Sequence, residues 1–402
     1  MCNIKPSDSE EDILSEVVEA TESDESDAST SIDDYYDGNE EDEDEEEDEA
    51  GSSDAEQDTK PLEDAIKHYM HIRNRPPEIE CDGLITDISF HPKTNALAAA
   101  CISGDLFIYK YDVAGNQTQR KTEVHTGACR AVEYSHDGQK IFTVSKDKSI
   151  VATDSETGQF VHVFDKAHSA ALFSISIISE HLFATGDEDG AVKLWDIRHE
   201  QPILSVHKVK DYISSIVTNA SRRYLACTTG EGTVVSINIV AKKFHVESEP
   251  YESELTCAGL YKDDGKLVCG TATGQLLVYN WAEFGLHVDE FPGSVKKAIN
   301  CQVPLNDNIM LTGWEDGKIR ATHIHPNKHL GVIGQHQMSV DSLDISHDGT
   351  YVASCSLDEK ISFWPVDFFN DIDLNVGIDK NTNLPSSQIT DQKTFFADLA
   401  DS

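Results

Sequence analysis

Between residues 78 and 369 the chain alternates short apolar runs with tight polar turns. In one stretch, Ala131–Tyr134 is followed by a His136-Asp137-Gly138 turn, then by Ile141–Val144, Ser149–Ala152 and Phe160–Phe164. Runs this short, with a period of two and turns of a few residues, predict antiparallel β-strands rather than helices. The pattern also repeats on a larger scale. A polar turn residue, mostly acidic, falls at Asp105, Asp147, Asp189, Glu231, Thr273, Asp316 and Asp358. The steps between these positions are 42 residues, with one of 43. Three residues past each comes a branched apolar residue: Ile108, Ile150, Val192, Val234, Leu276, Ile319 and Ile361. A period near 42 filled by four short strands predicts a propeller blade, and seven such units close a ring. The fold class is therefore all-β, a seven-bladed propeller. The last unit ends at Trp364-Pro365 with no outer strand after it, and Pro77–Cys81 precedes the first inner strand. That early segment is expected to complete the seventh blade, removing an open sheet edge.

The ring, residues 78–369, is flanked by three other regions. Residues 1–59 carry 26 acidic residues against one Lys, or −25 of the net −41, and Glu40–Glu49 is ten consecutive carboxylates. Such a segment buries too little apolar surface to offset its ordering entropy, so residues 1–60 are read as a disordered acidic tail. Its charge suits basic partner proteins and opposes direct contact with nucleic acid phosphates, so RNA is reached only indirectly. Six Ser/Thr residues there, Ser7, Ser9, Thr21, Thr30, Ser31 and Ser53, have a carboxylate three positions on, a pattern suited to acidophilic kinases. Residues 61–77 read as a short amphipathic helix over 61–75 and a linker: Pro61 suits a first turn, Leu62, Ala65, Ile66 and Tyr69 follow helical spacing, and Pro76-Pro77 end it. Residues 370–402 are a polar tail with Phe395-Phe396-Ala397-Asp398-Leu399, a contact motif for this propeller or for a partner.

Composition removes several functions. No signal peptide is visible in the first ten residues and no apolar stretch nears the ~20 residues a membrane helix needs, so a soluble intracellular protein is expected. The nine cysteines lack Cys-x-x-Cys spacing; Cys101, Cys227 and Cys269 each stand four residues before the turn marker, where they pack as small hydrophobes. Gly265-Lys266 lacks the following Ser/Thr of a phosphate loop, and Asp187–Gly190 lacks the far Glu of a calcium loop. His323, His325 and His329, broken by Pro326, read as loop and surface residues rather than a metal site. No cofactor, metal or small-molecule substrate is implied.

Two groups of residues remain. The third unit carries His168, Thr185, Asp189 and Trp195; the seventh carries His336, Ser354, Asp358 and Trp364. These are the hydrogen-bonded tetrads of WD-repeat propellers, in which indole, hydroxyl, imidazole and carboxylate tie inner strands to turns. Their recurrence in several blades reads as architecture, not as a catalytic triad. Positions nineteen, seventeen and one before the turn residue supply side chains to the narrow face of such propellers. They give Thr86, Arg130, Lys146, Phe173, Glu188, Tyr212, Ser214, Glu254, Thr256, Glu315 and Asp341, among others. Arg130, Lys146, Phe173 and Tyr212 form an aromatic-basic arc over the second to fourth blades, the chemistry of interface anchors.

The stretches Ile85–Pro92, Val124–Arg130, Ser145–Lys148, Leu182–Gly190, Ser248–Tyr251, Asn280-Trp281 and Gly334–His336 resemble the WD repeat-containing protein 55 family. So do Asn383–Ser387 and Phe395–Leu399. The resemblance implies a non-enzymatic nucleolar scaffold supporting ribosomal RNA production and ribosome assembly. Its partners would be assembly factors or basic ribosomal proteins, bound by a monomer within larger complexes. No strong basic import cluster accompanies it, only pairs such as Lys296-Lys297. Trp195-Asp196-Ile197-Arg198 matches the docking signature of cullin-type ubiquitin ligase receptors and keeps a second role, carried by Arg198, open; a histone-binding scaffold is a third.

Overall fold

The computed structural model describes residues 75–370, apart from 292, 294 and 325–327. The acidic tail, the helix expected over 61–75 except its last residue, and the Phe395-Phe396-Leu399 motif lie outside the described residues. What is described is seven four-stranded antiparallel sheets, each running a to d from the axis outward. Blade 1 spans Ile85–Glu123, blade 2 Cys129–Phe164, blade 3 Leu172–His207 and blade 4 Ile213–Glu247. Blade 5 spans Leu255–Phe291, blade 6 Ile299–Gln335, and blade 7 takes strands a to c from Val340–Pro365. The outer strand of blade 7 is Ile79–Glu80, paired antiparallel with strand c as Ile79 to Ile361 and Glu80 to Lys360. The inner strands neighbour one another in sequence order, and blade 1 returns to blade 7. Beyond the last strand, Asp367–Asn370 makes one 3-10 turn whose Phe368 and Phe369 are buried against blades 6 and 7.

Strands b and c are buried on both faces because each blade packs against two others. They accordingly read as near-continuous apolar or small runs, such as Leu97–Cys101 in blade 1. Cys101, Cys227 and Cys269 are fully buried free thiols on strand b. His323, expected at the surface, is buried at the end of strand c of blade 6, and the His329 ring meets the Thr322 hydroxyl at 3.0 Å. The turns between b and c bring their neighbours close. At Gly190 φ is +84°, and a Cβ there would stand 2.4 Å from the Val209 carbonyl oxygen of the next connection. Gly317 repeats this in blade 6, 2.6 Å from the His336 carbonyl. A residue without Cβ satisfies both demands.

Every inner strand is bulged at the same place. The a-to-b register slips between Ile85 and Asp87, Cys129 and Ala131, Leu172 and Ser174, and Ile213 and Ser215. It slips again between Leu255 and Cys257, Ile299 and Cys301, and Val340 and Ser342. A bulge leaves one residue unpaired and re-aims its side chain. Those seven residues are Thr86, Arg130, Phe173, Ser214, Thr256, Asn300 and Asp341. Five reach across to the inner strand of the next blade. Thr86 donates to the Cys129 carbonyl at 2.7 Å, Arg130 to Leu172 at 3.4 Å and Ser214 to Leu255 at 2.6 Å. Thr256 donates to Ile299, and Asn300 to Val340 at 3.0 Å. Where the bulged residue is Phe173 or Asp341, the following serine takes the task. Ser174 donates to the Ile213 carbonyl at 2.9 Å, and Ser342 to the Asp87 carboxylate at 2.7 Å. The circle of blade-to-blade bonds is complete.

Candidate protein-interaction surface

The tetrad of blade 7 joins the four residues read from the sequence. His336 Nδ1 lies 2.9 Å from Asp358 Oδ2, its Nε2 lies 2.6 Å from Ser354 Oγ, and the Trp364 indole N–H donates to that oxygen at 2.7 Å. In blade 3, His168, Thr185 and Trp195 are arranged alike, with 2.8 Å from Nε2 to the hydroxyl and 2.9 Å from the indole nitrogen. The carboxylate, however, is Asp187 and not Asp189. Asp187 Oδ2 meets His168 Nδ1 at 2.8 Å, while Oδ1 accepts the backbone N–H groups of Asp189 and Ala191. His168 precedes its hydroxyl by 17 residues, where His336 precedes its own by 18. The shortened connection brings the ring against the end of strand b, where Asp187 is fully buried, and leaves Asp189 exposed on the turn. Burial opposes the charge of Asp187, yet the imidazole and two N–H groups hold its carboxyl below the usual range. Burial likewise lowers His168, so the ring is neutral, with Nδ1 donating and Nε2 accepting. Thr185 and Ser354 are fully buried and spend their oxygens on indole and imidazole, which makes them struts rather than nucleophiles.

Blade 6 solves the same problem with other residues. Trp314, on strand b and fully buried, donates its indole N–H to Thr312 at 2.8 Å. The Arg320 guanidinium lies over its ring, 4.5 Å from the centroid, and grips Asp316 at 3.0 and 2.6 Å. Trp195 and Trp364 stand six residues past their turn markers, where blade 6 has Thr322, so that spacing does not reveal Trp314.

The bulged residues ring the mouth of a cavity of about 560 Å³ on the axis. A second cavity of about 570 Å³ opens at the other face and shares Ile175, Ile216, Ala258, Gln302 and Leu343 with the first, so the two are ends of one passage. At the first mouth the structure brings Arg130, Phe173 and Tyr212 together. Phe173 and Tyr212 meet at a tilt of 46° with centroids 4.9 Å apart, and the Arg130 guanidinium sits 5.5 Å from the Phe173 ring. Glu188 pairs with Arg130 at 2.6 Å, and the Tyr212 hydroxyl donates to Glu254 at 2.9 Å. These two carboxylates, assigned from sequence to separate positions, thus brace the cluster. Lys146 stands exposed on the turn of blade 2. Thr86, Ser214 and Thr256, counted from sequence as contact positions, are committed to the circle of blade-to-blade bonds. Arg198 lies on the opposite face, exposed, with its guanidinium clamped on Asp196 at 2.8 and 2.6 Å.

A rigid ring with an aromatic, charged rim and buried tetrads defines a WD-repeat propeller, a class of protein-interaction scaffolds that is typically non-catalytic. Among the described residues no helix is long and apolar enough to cross a membrane, and no group of three or more His, Cys, Asp or Glu could hold a metal ion. A family model described as WDR55 matches residues 76–369. WD repeat-containing protein 55 homologs of Drosophila persimilis and Drosophila melanogaster are 43% and 42% identical over 334 residues, 81% of this chain. The matched stretch is 66% and 67% of those relatives, so the chain spans about two thirds of their length. The chain belongs to the WDR55 family.

Proposed function

We propose that this protein is a nucleolar scaffold that supports ribosomal RNA production and ribosome assembly by holding protein partners at the mouth of its propeller. The observation that carries the protein-binding part is the Arg130–Phe173–Tyr212 cluster. It is an aromatic and arginine anchor held rigid by Glu188 and Glu254, and it costs little entropy to present. The nucleolar and ribosomal part is supported by the resemblance to the WD repeat-containing protein 55 family, which extends from the blades to Phe395–Leu399. Basic ribosomal proteins suit both the −41 charge and the acidic leader. The test is replacement of the endogenous protein by the double variant Arg130→Ala, Phe173→Ala. Expected are loss of co-purifying assembly factors or ribosomal proteins and a fall in mature ribosomal RNA. Normal ribosomal RNA and an unchanged set of partners would sink the proposal. Arg198→Ala in the same assay separates the ligase role, since only that role needs a ligase adaptor lost while ribosomal RNA is unaffected.

A further inference from the structure

The seven bulged residues of the inner strands are equivalent by position but not by task. Five donate to the next blade, and the two that do not are Phe173 and Asp341. Their serine neighbours have taken over the structural bond, which frees both side chains for the cavity they line. A ring that only needed closing would repeat a side-chain hydrogen-bond donor at these places. The replacements, one aromatic and one carboxylate, face a single opening of about 560 Å³, room for a long side chain.

We infer that this mouth is a site for a basic side chain, a guanidinium or ammonium, inserted by an extended segment of a partner protein. Asp341 receives the charged head, and Phe173 with Tyr212 packs its stem. The charges of the lining agree. Asp341 accepts the Ser339 hydroxyl, and no cation among the described residues pairs with it. Burial raises its carboxyl to about 6, the condition that an incoming cation relieves. Asp87, on the same wall, already takes Ser342 and the Val132 and Ile88 N–H groups, so it adds negative field without needing a partner. Arg130, the cation of the lining, is neutralised by Glu188 at 2.6 Å. A Lys or Arg stem is apolar and covers an aromatic face while its head stays polar. The inference rests on the proposed reading of this mouth as the partner-facing surface and adds the chemistry of what enters it.

The experiment titrates the full chain, at physiological salt, with acetyl-Gly-Gly-Arg-Gly-Gly-amide, its Lys counterpart and its norleucine counterpart, observed by ligand NMR. Arg or Lys peptide binding in the millimolar range is expected, with none from norleucine. Asp341→Asn, nearly isosteric, is expected to weaken it about tenfold, and Phe173→Ala about threefold, with melting temperatures close to that of the parent. Norleucine binding equal to that of Arg, or binding unchanged in Asp341→Asn, overturns the site; the latter would place the peptide on the acidic leader. Peptide binding that depends on Asp341, in a protein whose mouth variant leaves ribosomal RNA normal, would keep this inference and remove the ribosomal reading.

Discussion

Blades 3 and 6 hold a buried indole by the same bond, to a threonine hydroxyl, and support that bond in opposite ways. Blade 3 seals a neutral imidazole and an ionised carboxylate inside the protein, where neither is screened and neither tolerates the loss of the other. Blade 6 lays a guanidinium over the indole and pairs it with Asp316, which is partly open to water. The comparison teaches that in both blades a buried indole–threonine bond is tied to the b-to-c turn, and that the chemistry of the tie is exchangeable between them. Within blade 3 it is not, because three donors converge on one carboxylate.

The largest effect that would break this comparison is at Asp187. Asp187→Ala strands the His168 N–H and two backbone N–H groups, at a cost of about 3 kcal/mol in denaturant unfolding. Asp189→Ala, on the exposed turn, is expected within about 0.5 kcal/mol of the parent. Equal losses in the two variants would refute the assignment. Blade 6 should yield less: Trp314→Phe removes one indole bond and weakens the cation–ring contact, about 1–2 kcal/mol.

The acid groups sharpen the contrast through pH. Asp147, whose blade 2 network resembles that of blade 7, is held at about 2 because donors from Ser149 and Thr126 outweigh burial. It contributes stability above the unfolded carboxylate value near 4, and loses it only as pH falls toward 2. Along the axial passage burial acts the other way, raising Asp87 to about 6, Asp344 to about 7 and Glu133 to about 8. The native protein keeps those protons after the unfolded chain has lost them. Stability is then full below about 4 and declines as pH rises through 6 to 8. Denaturation midpoints should fall from pH 5 to pH 8, and Glu133→Gln should flatten the upper part of that slope; a midpoint rising across this range would contradict it. The smallest effect is at Arg198, where Arg198→Ala removes a solvent-exposed pair and should leave the midpoint in place.

The ring was legible because its repeat is a matter of spacing: a blade needs a b-to-c turn about every 42 residues, and turns restrict residue type. Closure by Ile79–Glu80 was legible from the missing strand after Trp364. The identity of the blade 3 carboxylate was not, because counting from one blade to the next carries Asp189 to the turn while the shortened connection moves the contact to Asp187. Trp314 and Arg320 escaped because their contact joins strands b and c of one blade outside the repeat's usual positions. The circle of blade-to-blade bonds escaped for another reason. Thr86, Arg130, Ser214 and Asn300 share a geometry and no residue type, so only coordinates align them. The grouping of Arg130, Phe173 and Tyr212 was readable from the family's contact positions, whereas the bracing by Glu188 and Glu254 needed distances.

The pairing of Ile79 with Ile361 also sets a timetable for synthesis. The clasp is among the first parts of the propeller to leave the ribosome, and its partner strand follows about 280 residues later. At roughly 5–20 residues per second this is some 15–60 s during which blades accumulate as an open arc. For that interval the nascent chain exposes the apolar face of blade 1 that later packs on Ile361 and Phe363, and a strand with nothing to pair. Until its final blade arrives, the emerging protein therefore carries apolar surface that only its own last strands can cover.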